Sequence, residues 1–516
     1  MAETTTAVHP GWGSEASKRN PPGHIRRLHI RDLGPLAAGR LVQALGGLAT
    51  TRVLTEYLLP KDVGSLAEIG IIAAAFSLIM VVPVWQFCQR AFNTWLRLGT
   101  WDRELKRFFG YVAVVAVLSG IAVWLVQRRF GWVAGMSASV LGVLIGLNVF
   151  FSCAYIAGST ALNLIHRRIP FVLFSNATVW IGLVCSLLLI LRRRSAGAWY
   201  FGQDLGYLVG ALSLILLWRA LQKENPKDLN KAKTAEGLGL RWNLVIPFAW
   251  PISFRALLWW FQSQGNRILL AWLASPEALG MFAVGYGLAA APILMADLTL
   301  QHLYEPQFYA DLHGADPVHL ARAWENFAAV YIPALLLVGC YVGAAGPFLA
   351  KMLLGARFQV VGEFAAIPAL AETLRGVNGM FTMLAMAKMD MKVAISPVAV
   401  GGAATLAATA LLVPHWSFVG AFWAAAAGTA VVFIVSVLKT ASVLPARWPW
   451  RKMGGSLVLA LPMVVAFVVL ARAMHPLSIL TAVVALLGGG LYLLAGLAVL
   501  IERGLKSSAI PPEVRS

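Results

Sequence analysis

The sequence is poor in charged residues, and acidic residues are especially scarce. Only 13% of its 516 residues are charged, and 23 Asp and Glu stand against 42 Lys and Arg. Hydrophobic residues make up 59% of the chain, which is more than soluble domains can keep inside their cores. This composition excludes a soluble globular enzyme and predicts a protein whose main solvent is lipid.

Motifs for nucleotide, metal and covalent chemistry are also missing. There is no G-x-x-x-x-G-K-[ST] phosphate loop, no H-E-x-x-H and no G-x-S-x-G, so nothing supports ATP hydrolysis or a known hydrolase site. The four cysteines fall within apolar segments and have no metal-ligand or disulfide spacing. We therefore expect no cofactor, no metal site and no catalytic residues.

Long apolar runs are what the sequence does contain. Runs of about 20 apolar residues, the length that crosses a membrane as a helix, recur fourteen times between residues 34 and 500. Their approximate cores are residues 34–55, 66–88, 108–126, 135–162, 170–191, 200–218, 244–272, 278–303, 325–349, 364–386, 393–413, 417–438, 454–471 and 477–500. The fold class is therefore an all-α polytopic membrane protein with about 14 transmembrane helices.

The net charge of +19 comes from Lys and Arg in short loops between the apolar runs, so it indicates membrane topology and not a nucleic-acid partner. With both termini cytoplasmic, the inner side holds 28 of the 42 Lys and Arg, the outer side 9 and the spans 5. Arg192, Arg193 and Arg194 are the exception, because this topology places them outside. The charge bias predicts a multi-pass membrane protein with both termini cytoplasmic.

A weak internal repeat divides the chain. At an offset of 215 residues Arg40 matches Arg255 and Arg52 matches Arg267, and a one-residue slip aligns Pro60-x-x-x-Gly64 with Pro276-x-x-x-Gly280. The offset contains six helices, an even number, so both copies enter the membrane in the same direction. Such a parallel repeat predicts two pseudo-symmetric six-helix bundles with the substrate site between them.

The predicted organisation follows from the repeat. It comprises a disordered cytoplasmic tail at residues 1–30, a six-helix lobe at 31–218, a basic cytoplasmic linker at 219–242, a second six-helix lobe at 243–440, two additional transmembrane helices at 441–502 and a cytoplasmic tail at 503–516.

Five arginines lie within the predicted spans. An arginine at the centre of a span costs at least ~2.5–3.5 kcal/mol, so each should face a partner, a wet cavity or an anionic ligand. They are Arg40 and Arg52 in the first span, Arg255 and Arg267 in the seventh, and Arg375 in the tenth. Arg40 and Arg255 rank first, because Arg52 can pair with Glu56 and Arg375 with Glu372 as helix-local ion pairs.

The seventh span places polar groups along one helical face. Arg255, Trp259, Gln262 and Asn266 follow one another at spacings of four, three and four, and the first span has a similar stripe containing Arg40 and Gln43. Arginine offers paired donors to phosphate, while amide and aromatic groups suit a sugar. The alternative for Trp259 is a lipid-facing or interfacial packing residue.

Two further features concern coupling and motion. Asp297 lies within a span, where it would relay protons or bind a coupling cation, and a partnered structural carboxylate is the alternative. Pro247 and Pro251 interrupt the seventh span before the stripe, which gives the helix a place to bend.

Three segments resemble a known family. Residues 266–284 look like the seventh-to-eighth helix hairpin of Wzx-type polysaccharide-repeat flippases, residues 52–64 resemble the matching first hairpin, and residues 414–421 resemble the turn before helix twelve. The family belongs to the multidrug/oligosaccharidyl-lipid/polysaccharide exporter superfamily. The resemblance implies two bundles that open alternately around a cationic cavity, in which the arginines bind the diphosphate of undecaprenyl-pyrophosphate-linked oligosaccharide. A polysaccharide polymerase and chain-length machinery would be its partners.

Other functions stay open at this point. A lipid II flippase also has fourteen helices, but the first hairpin here lacks the acidic pattern associated with that branch. A multidrug cation extruder should line its cavity with carboxylates instead of arginines. A membrane glycan polymerase or ligase should carry a long outer loop, and the predicted outer loops are short.

Overall fold

The structure is a computed structural model that describes residues 30–165, 167–224, 239–310, 317–387, 392–443, 448–474 and 476–508. Most of the predicted tails and of the predicted basic linker lie outside these ranges, although the last helix extends to Ser508, into the predicted C-terminal tail. The described chain is almost entirely helical. Its membrane helices are α1 (Ile30–Tyr57), α2 (60–98), α3 (Trp101–Phe130), α4 (Ala138–Leu164), α5 (Arg168–Arg192), α6 (196–224), α7 (Trp242–Leu273), α8 (Pro276–Ala310), α9 (Pro317–Ala344), α10 (Ala366–Ala387), α11 and α12 (together Lys392–Val443), α13 (Trp450–Ala473) and α14 (Ile479–Ser508).

The helices coincide with the predicted apolar spans. Within the described ranges, eleven helices are long and apolar enough to cross a membrane, and the longest of them, Ile395–Lys439, contains two spans. Those two, α11 and α12, meet at Ser417, whose positive φ of 50° breaks the helix. Helices α1 and α10, which fall outside that criterion, also match predicted spans. The all-helical, polytopic fold class is confirmed.

Some helices are longer or less regular than the apolar runs indicated. Helix α2 continues from Pro60 to Leu98 through a π-helical turn at Ser77–Val81, just before Pro83. A wide turn of this kind accommodates the hydrogen bond that proline cannot donate. Between α9 and α10 the chain forms a short helix, Gly346–Leu353, and a 3₁₀ helix, Ala356–Phe364.

The two repeated Pro-x-x-x-Gly turns contact one another. A Cβ atom at Gly64 would collide with the carbonyl oxygen of Pro276, and one at Gly280 would collide with the carbonyl oxygen of Pro60. Helices α2 and α8 therefore cross at their N-terminal ends through a reciprocal pair of glycines, which only residues without a Cβ permit. This crossing joins the two repeats at the end of the molecule that the charge bias predicts to be outside.

Large buried side chains pack in two main clusters. One cluster joins α2, α3, α4 and α6 around Phe92, Trp95 and Phe108. The other joins α8, α9 and α10 with the two C-terminal helices. The C-terminal helices pack on α9, where the Tyr341 hydroxyl donates to the carbonyl of Leu486 at 3.1 Å.

Candidate functional site

Helix α7 has two exposed faces. Trp250, Phe254 and Phe261 are 66%, 44% and 48% exposed, and at about 100° per residue they fall on one side of the helix. Arg255 and Trp259 are also exposed, but they lie ~140° around the helix from those aromatics. The aromatic face suits lipid, and the second face, which carries a charge, suits an aqueous space.

Neighbouring helices separate these two faces. On one side the indole of Trp260 donates to the carbonyl of Ile71 in α2 at 3.2 Å. On the other side a Cβ atom at Gly265 would lie 2.9 Å from Leu406 in α11. Helix α7 therefore lies between α2 and α11, with Arg255 and Trp259 on the face that is distinct from the lipid-facing aromatics.

The predicted stripe on α7 changes from exposed to buried along its length. Arg255 is exposed, Trp259 is 45% exposed and Asn266 is 3% exposed. Gln262 lies beside Gly402 of α11, where a Cβ atom would come within 3.6 Å of it. The amide oxygen of Asn266 is buried without a hydrogen-bond partner among the described residues. The side chains of the stripe are thus exposed near the middle of α7 and buried toward the end of α7 that lies beside the glycine crossing.

Arg255 differs from Arg52 and Arg375, the two span arginines that form ion pairs with described residues. Ion pairs between described residues involve Arg52, Arg103, Lys106, Arg107 and Arg375, and none involves Arg255. It lies thirteen residues after the start of α7, near the centre of the span. An arginine at that depth needs water or an anion as its partner.

Helix α1 packs against α5 through glycines and leaves another face open. Cβ atoms at Gly39 and Gly46 would collide with Val172 and Val179 of α5, whereas a Cβ at Gly47 would meet no atom within 4 Å. Gln43 is half-buried. Arg40 belongs to α1, but its side chain lies outside the described residues, so the predicted pairing of Arg40 with Arg255 stays a prediction.

Arg375 occupies a network of charged groups inside the second repeat. Its Nε lies 2.5 Å from Oε2 of Glu372, and its Nη2 lies 3.5 Å from Oδ2 of Asp297 in α8. Both carboxylates are buried, at 5% and 2% exposure. The helix-local pair of Arg375 with Glu372 that the sequence offered as an alternative is present, and Asp297 joins it from another helix.

Aromatic and amide groups complete this network. The Tyr331 hydroxyl from α9 donates to Oδ1 of Asp297, which also accepts from Nε2 of Gln301 at 2.6 Å. The Tyr286 hydroxyl donates to Oε1 of Glu372 at 2.6 Å. Arg267 of α7 lies over the Tyr286 ring, with its guanidinium carbon 5.8 Å from the ring centroid.

Two arginines and two carboxylates balance within this network. Arg267 forms no ion pair with another described residue, but it stacks on Tyr286, which donates to Glu372. Glu372 and Asp297 in turn pair with Arg375. The nearby opposite charges reduce the cost of holding these groups in a membrane. Arg267 and Arg375 therefore have protein partners that Arg255 lacks among the described residues.

Arg52 links α1 to the segment between α9 and α10. It pairs with Glu56 at 2.9 Å and donates to the carbonyl oxygen of Leu354. The hydroxyl of Thr55 accepts from the backbone N–H of Gly355 at 2.9 Å. These contacts join the two repeats beside the glycine crossing.

The sequence singled out Asp297 and Arg375 but not the residues that join them. Tyr286, Tyr331 and Gln301 gave no local signal except the match of Gln301 to Gln86 at the repeat offset. Among the residues that the structure describes, no three His, Cys, Asp or Glu side chains are grouped as metal ligands would be.

No protein-family model and no curated protein matches the sequence. Solved structures do match the fold. The chain is similar to the lipid II flippase MurJ in an inward closed conformation, with a TM-score of 0.67 at 10% identity over 92% of this chain and 99% of that one. It is also similar to an inward-facing multidrug resistance MATE family transporter of the MOP superfamily, with a TM-score of 0.56 at 12% identity over 82% and 98%.

A third match is a MOP superfamily transporter from Pyrococcus furiosus, for which a binding pocket of reverse polarity is taken to suggest a different function. Its TM-score is 0.51 at 14% identity, over 83% of this chain and 95% of that one. These matches show that the described chain has the fold found in MurJ and in MATE transporters.

Proposed function

We propose that the chain is a transporter that moves a lipid-linked oligosaccharide diphosphate from the cytoplasmic to the periplasmic leaflet of the bacterial inner membrane. The cargo would be an undecaprenyl-pyrophosphate-linked repeat unit for polysaccharide biosynthesis. Support for transport comes from the shared fold. Support for this class of cargo comes from the site.

The observation that carries the proposal is Arg255, exposed near the centre of α7 without an ion pair among the described residues. A diphosphate would supply the missing negative charge, and charge-assisted hydrogen bonds to its oxygens are strong in a partly desolvated space. Trp259, one turn further on the same face, offers an aromatic surface for a sugar. Arg40, Gln43, Gln262 and Asn266 stay predicted contributors to the same site.

The carboxylates of the spans support an anionic cargo over a cationic one. Glu68, Asp204, Asp297 and Glu372 are each at most 5% exposed. A cation extruder needs exposed carboxylates in its cavity, whereas these four carboxylates are buried in the helix packing. The α7 face with Arg255 therefore favours a phosphate-bearing substrate.

Lipid II is the second candidate cargo. Similarity to MurJ covers 92% of the chain and similarity to the MATE transporter covers 82%, a difference of about 50 residues out of 516, close to the combined size of α13 and α14. Both candidates are polyprenyl diphosphates, so the chemistry proposed for Arg255 is the same. The mass of the lipid that accumulates when the transporter is removed distinguishes them.

The energy source follows from the charge of the cargo. Moving a negative charge outward across a membrane with a negative interior releases ~2.3 kcal/mol per 100 mV. The membrane potential would therefore assist export without ATP. Asp297 stays a candidate for ion coupling, and a polysaccharide polymerase and chain-length proteins stay the proposed partners.

We propose that both termini are cytoplasmic, because Lys and Arg divide 28 to 9 in favour of that side. Lys227, in the predicted basic linker, lies outside the described residues. A cysteine introduced there should resist an impermeant thiol reagent in intact cells and react after lysis. Labelling in intact cells would show that the protein has the opposite orientation.

Replacement of Arg255 tests the cargo assignment. Arg255→Ala should abolish export and trap an oligosaccharide diphosphate lipid in the inner leaflet, while Arg255→Lys should retain part of the activity because it restores charge but not the planar fork. Export is measured in cells, and the trapped lipid is identified by mass spectrometry. Arg129→Ala, at the exposed end of α3, is the matched control and should export normally. Normal export by an abundant, membrane-inserted Arg255→Ala protein would reject the diphosphate site.

A further inference from the structure

A cavity of about 1120 Å³ lies between α9, α10, α13 and the short segments that connect α9 to α10. It is separate from the exposed face of α7, because none of its lining residues belongs to α7. It lies where α13, the first of the two C-terminal helices, packs beside the second repeat. Neither the proposed export site nor the charged network accounts for it.

Most of the cavity wall is apolar. Leu336 of α9, Leu370 of α10 and Leu457 and Phe467 of α13 line it. Leu370 and Leu457 are each 49% exposed, so their side chains also meet the surrounding membrane. A groove with these walls fits a hydrocarbon chain that enters from the lipid.

One end of the cavity is basic. Lys351 lies in the last turn of the short helix Gly346–Leu353, Arg472 lies in the last turn of α13, and both line the cavity. Glu363 also lines it and is exposed. Ion pairs between described residues include none of these three side chains, so the two cations leave this end net positive.

Two other grooves on the membrane-facing surface provide a comparison. The groove between α3 and α4, of about 710 Å³, and the groove between α13 and α14, of about 580 Å³, have no charged residue in their linings. Acyl chains alone can fill surfaces of that kind. The cavity at Lys351 and Arg472 differs by joining a hydrocarbon-sized groove to two basic groups.

We propose that this cavity binds one lipid with a phosphate headgroup. The phosphate lies between Lys351, which acts as a point charge, and Arg472, which offers paired N–H donors. The chain lies along Leu457 and Phe467. Basic pockets between transmembrane helices bind anionic lipid headgroups by the same chemistry. The inference is independent of the cargo proposed for Arg255.

A phospholipid of the membrane and a polyprenyl phosphate both have the required chemistry. The full-length protein is reconstituted in phosphatidylcholine nanodiscs, alone or with either phosphatidylglycerol or undecaprenyl phosphate. Native mass spectrometry then measures the lipid retained per protein. The test variant is Lys351→Gln/Arg472→Gln. The control is Arg451→Gln/Lys452→Gln, which removes two exposed basic residues from the opposite end of α13.

The parent and the control should retain one anionic lipid, and the test variant should bind it roughly 25-fold more weakly, a factor of about five for each basic group. Preference for undecaprenyl phosphate over phosphatidylglycerol would identify the polyprenyl carrier as the source, and the reverse preference a membrane phospholipid. Equal retention by the parent and the test variant, or equal loss in the control, would overturn the proposal. If the double variant does not fold, Lys351→Gln and Arg472→Gln alone should each lose about fivefold.

Discussion

The first repeat, residues 31–218, and the second, residues 243–440, bury different polar groups in their interiors. In the first, Asn148 of α4 donates to Asp204 of α6 at 2.7 Å. In the second, α7, α8, α9 and α10 contribute to a network that contains two arginines and two carboxylates. The bond between Asn148 and Asp204 joins two helices of the first repeat, whereas the network of the second joins four.

The repeat offset makes the contrast specific. At 215 residues before Asp297, Glu372 and Arg375 stand Val82, Ala157 and Thr160, none of which carries a charge. The glycines of the outer crossing, by contrast, occur in both halves and contact each other reciprocally. The repeats therefore share the shape by which they meet, but the network around Asp297, Glu372 and Arg375 has no charged counterpart at the matching positions of the first.

The largest expected effect is a difference in stability between variants of two buried aspartates, Asp297 and Asp204. Asp297→Asn removes one of the two carboxylates that balance Arg375 and should lower the free energy of unfolding by about 3 kcal/mol. Asp204→Asn keeps a hydrogen-bonding side chain beside Asn148 and should cost less than about 1.5 kcal/mol. Thermal melting of the two purified proteins in one detergent measures the difference. Equal losses would show that the charged network has no special energetic role.

The next effect should be the same in both repeats. Gly64→Ala and Gly280→Ala each place a methyl group against a backbone carbonyl, and each should destabilise the crossing by ~1–3 kcal/mol and reduce export. Melting and export assays measure both effects. Gly70→Ala and Gly287→Ala are controls, because a Cβ atom there would meet nothing within 4 Å. A strong effect at only one crossing glycine would mean that the two halves do not share this contact equally.

The sequence was sufficient to predict the helices because length and hydropathy are local properties. Each apolar run became a helix, and the Pro-Gly pattern marked the turns at Pro60 and Pro276. Their mutual contact was not predicted, since nothing in either turn identifies its partner. The irregular connection between α9 and α10 was also missed. Residues 346–364 are largely apolar, but they form two helices that are each too short to span a membrane.

Residues of the candidate site could be predicted from the sequence only where they lie on the same helix. The α7 stripe follows from spacing alone, and Arg255 is exposed on it. The partners of Asp297 could not be found in this way, because Tyr331 is 34 residues away along the chain and reaches it from α9. Contacts of this kind depend on helix packing, which no local pattern contains.

The smallest expected effect concerns Arg52 and Arg267. The two arginines occupy matching positions of the repeat but have different neighbours in the structure. Arg52 pairs with Glu56 at the surface, with the two side chains 41% and 51% exposed, whereas Arg267 stacks on Tyr286 beside the charged network. An exposed helical pair contributes only ~0.3–0.5 kcal/mol. Glu56→Gln should therefore leave melting and export close to the parent, because Arg52 keeps its hydrogen bond to the Leu354 carbonyl.

Arg267→Gln is the comparison variant, and it should cost up to ~2 kcal/mol because it removes a desolvated cation from above an aromatic ring. For both variants, thermal melting measures stability, and the amount of glycan exported by cells measures transport. If Glu56→Gln abolished export at unchanged stability, the exposed pair would lie on the transport path. The contrast between Arg52 and Arg267 would then fail, and Arg52 would join Arg255 among the groups that we propose to bind the diphosphate.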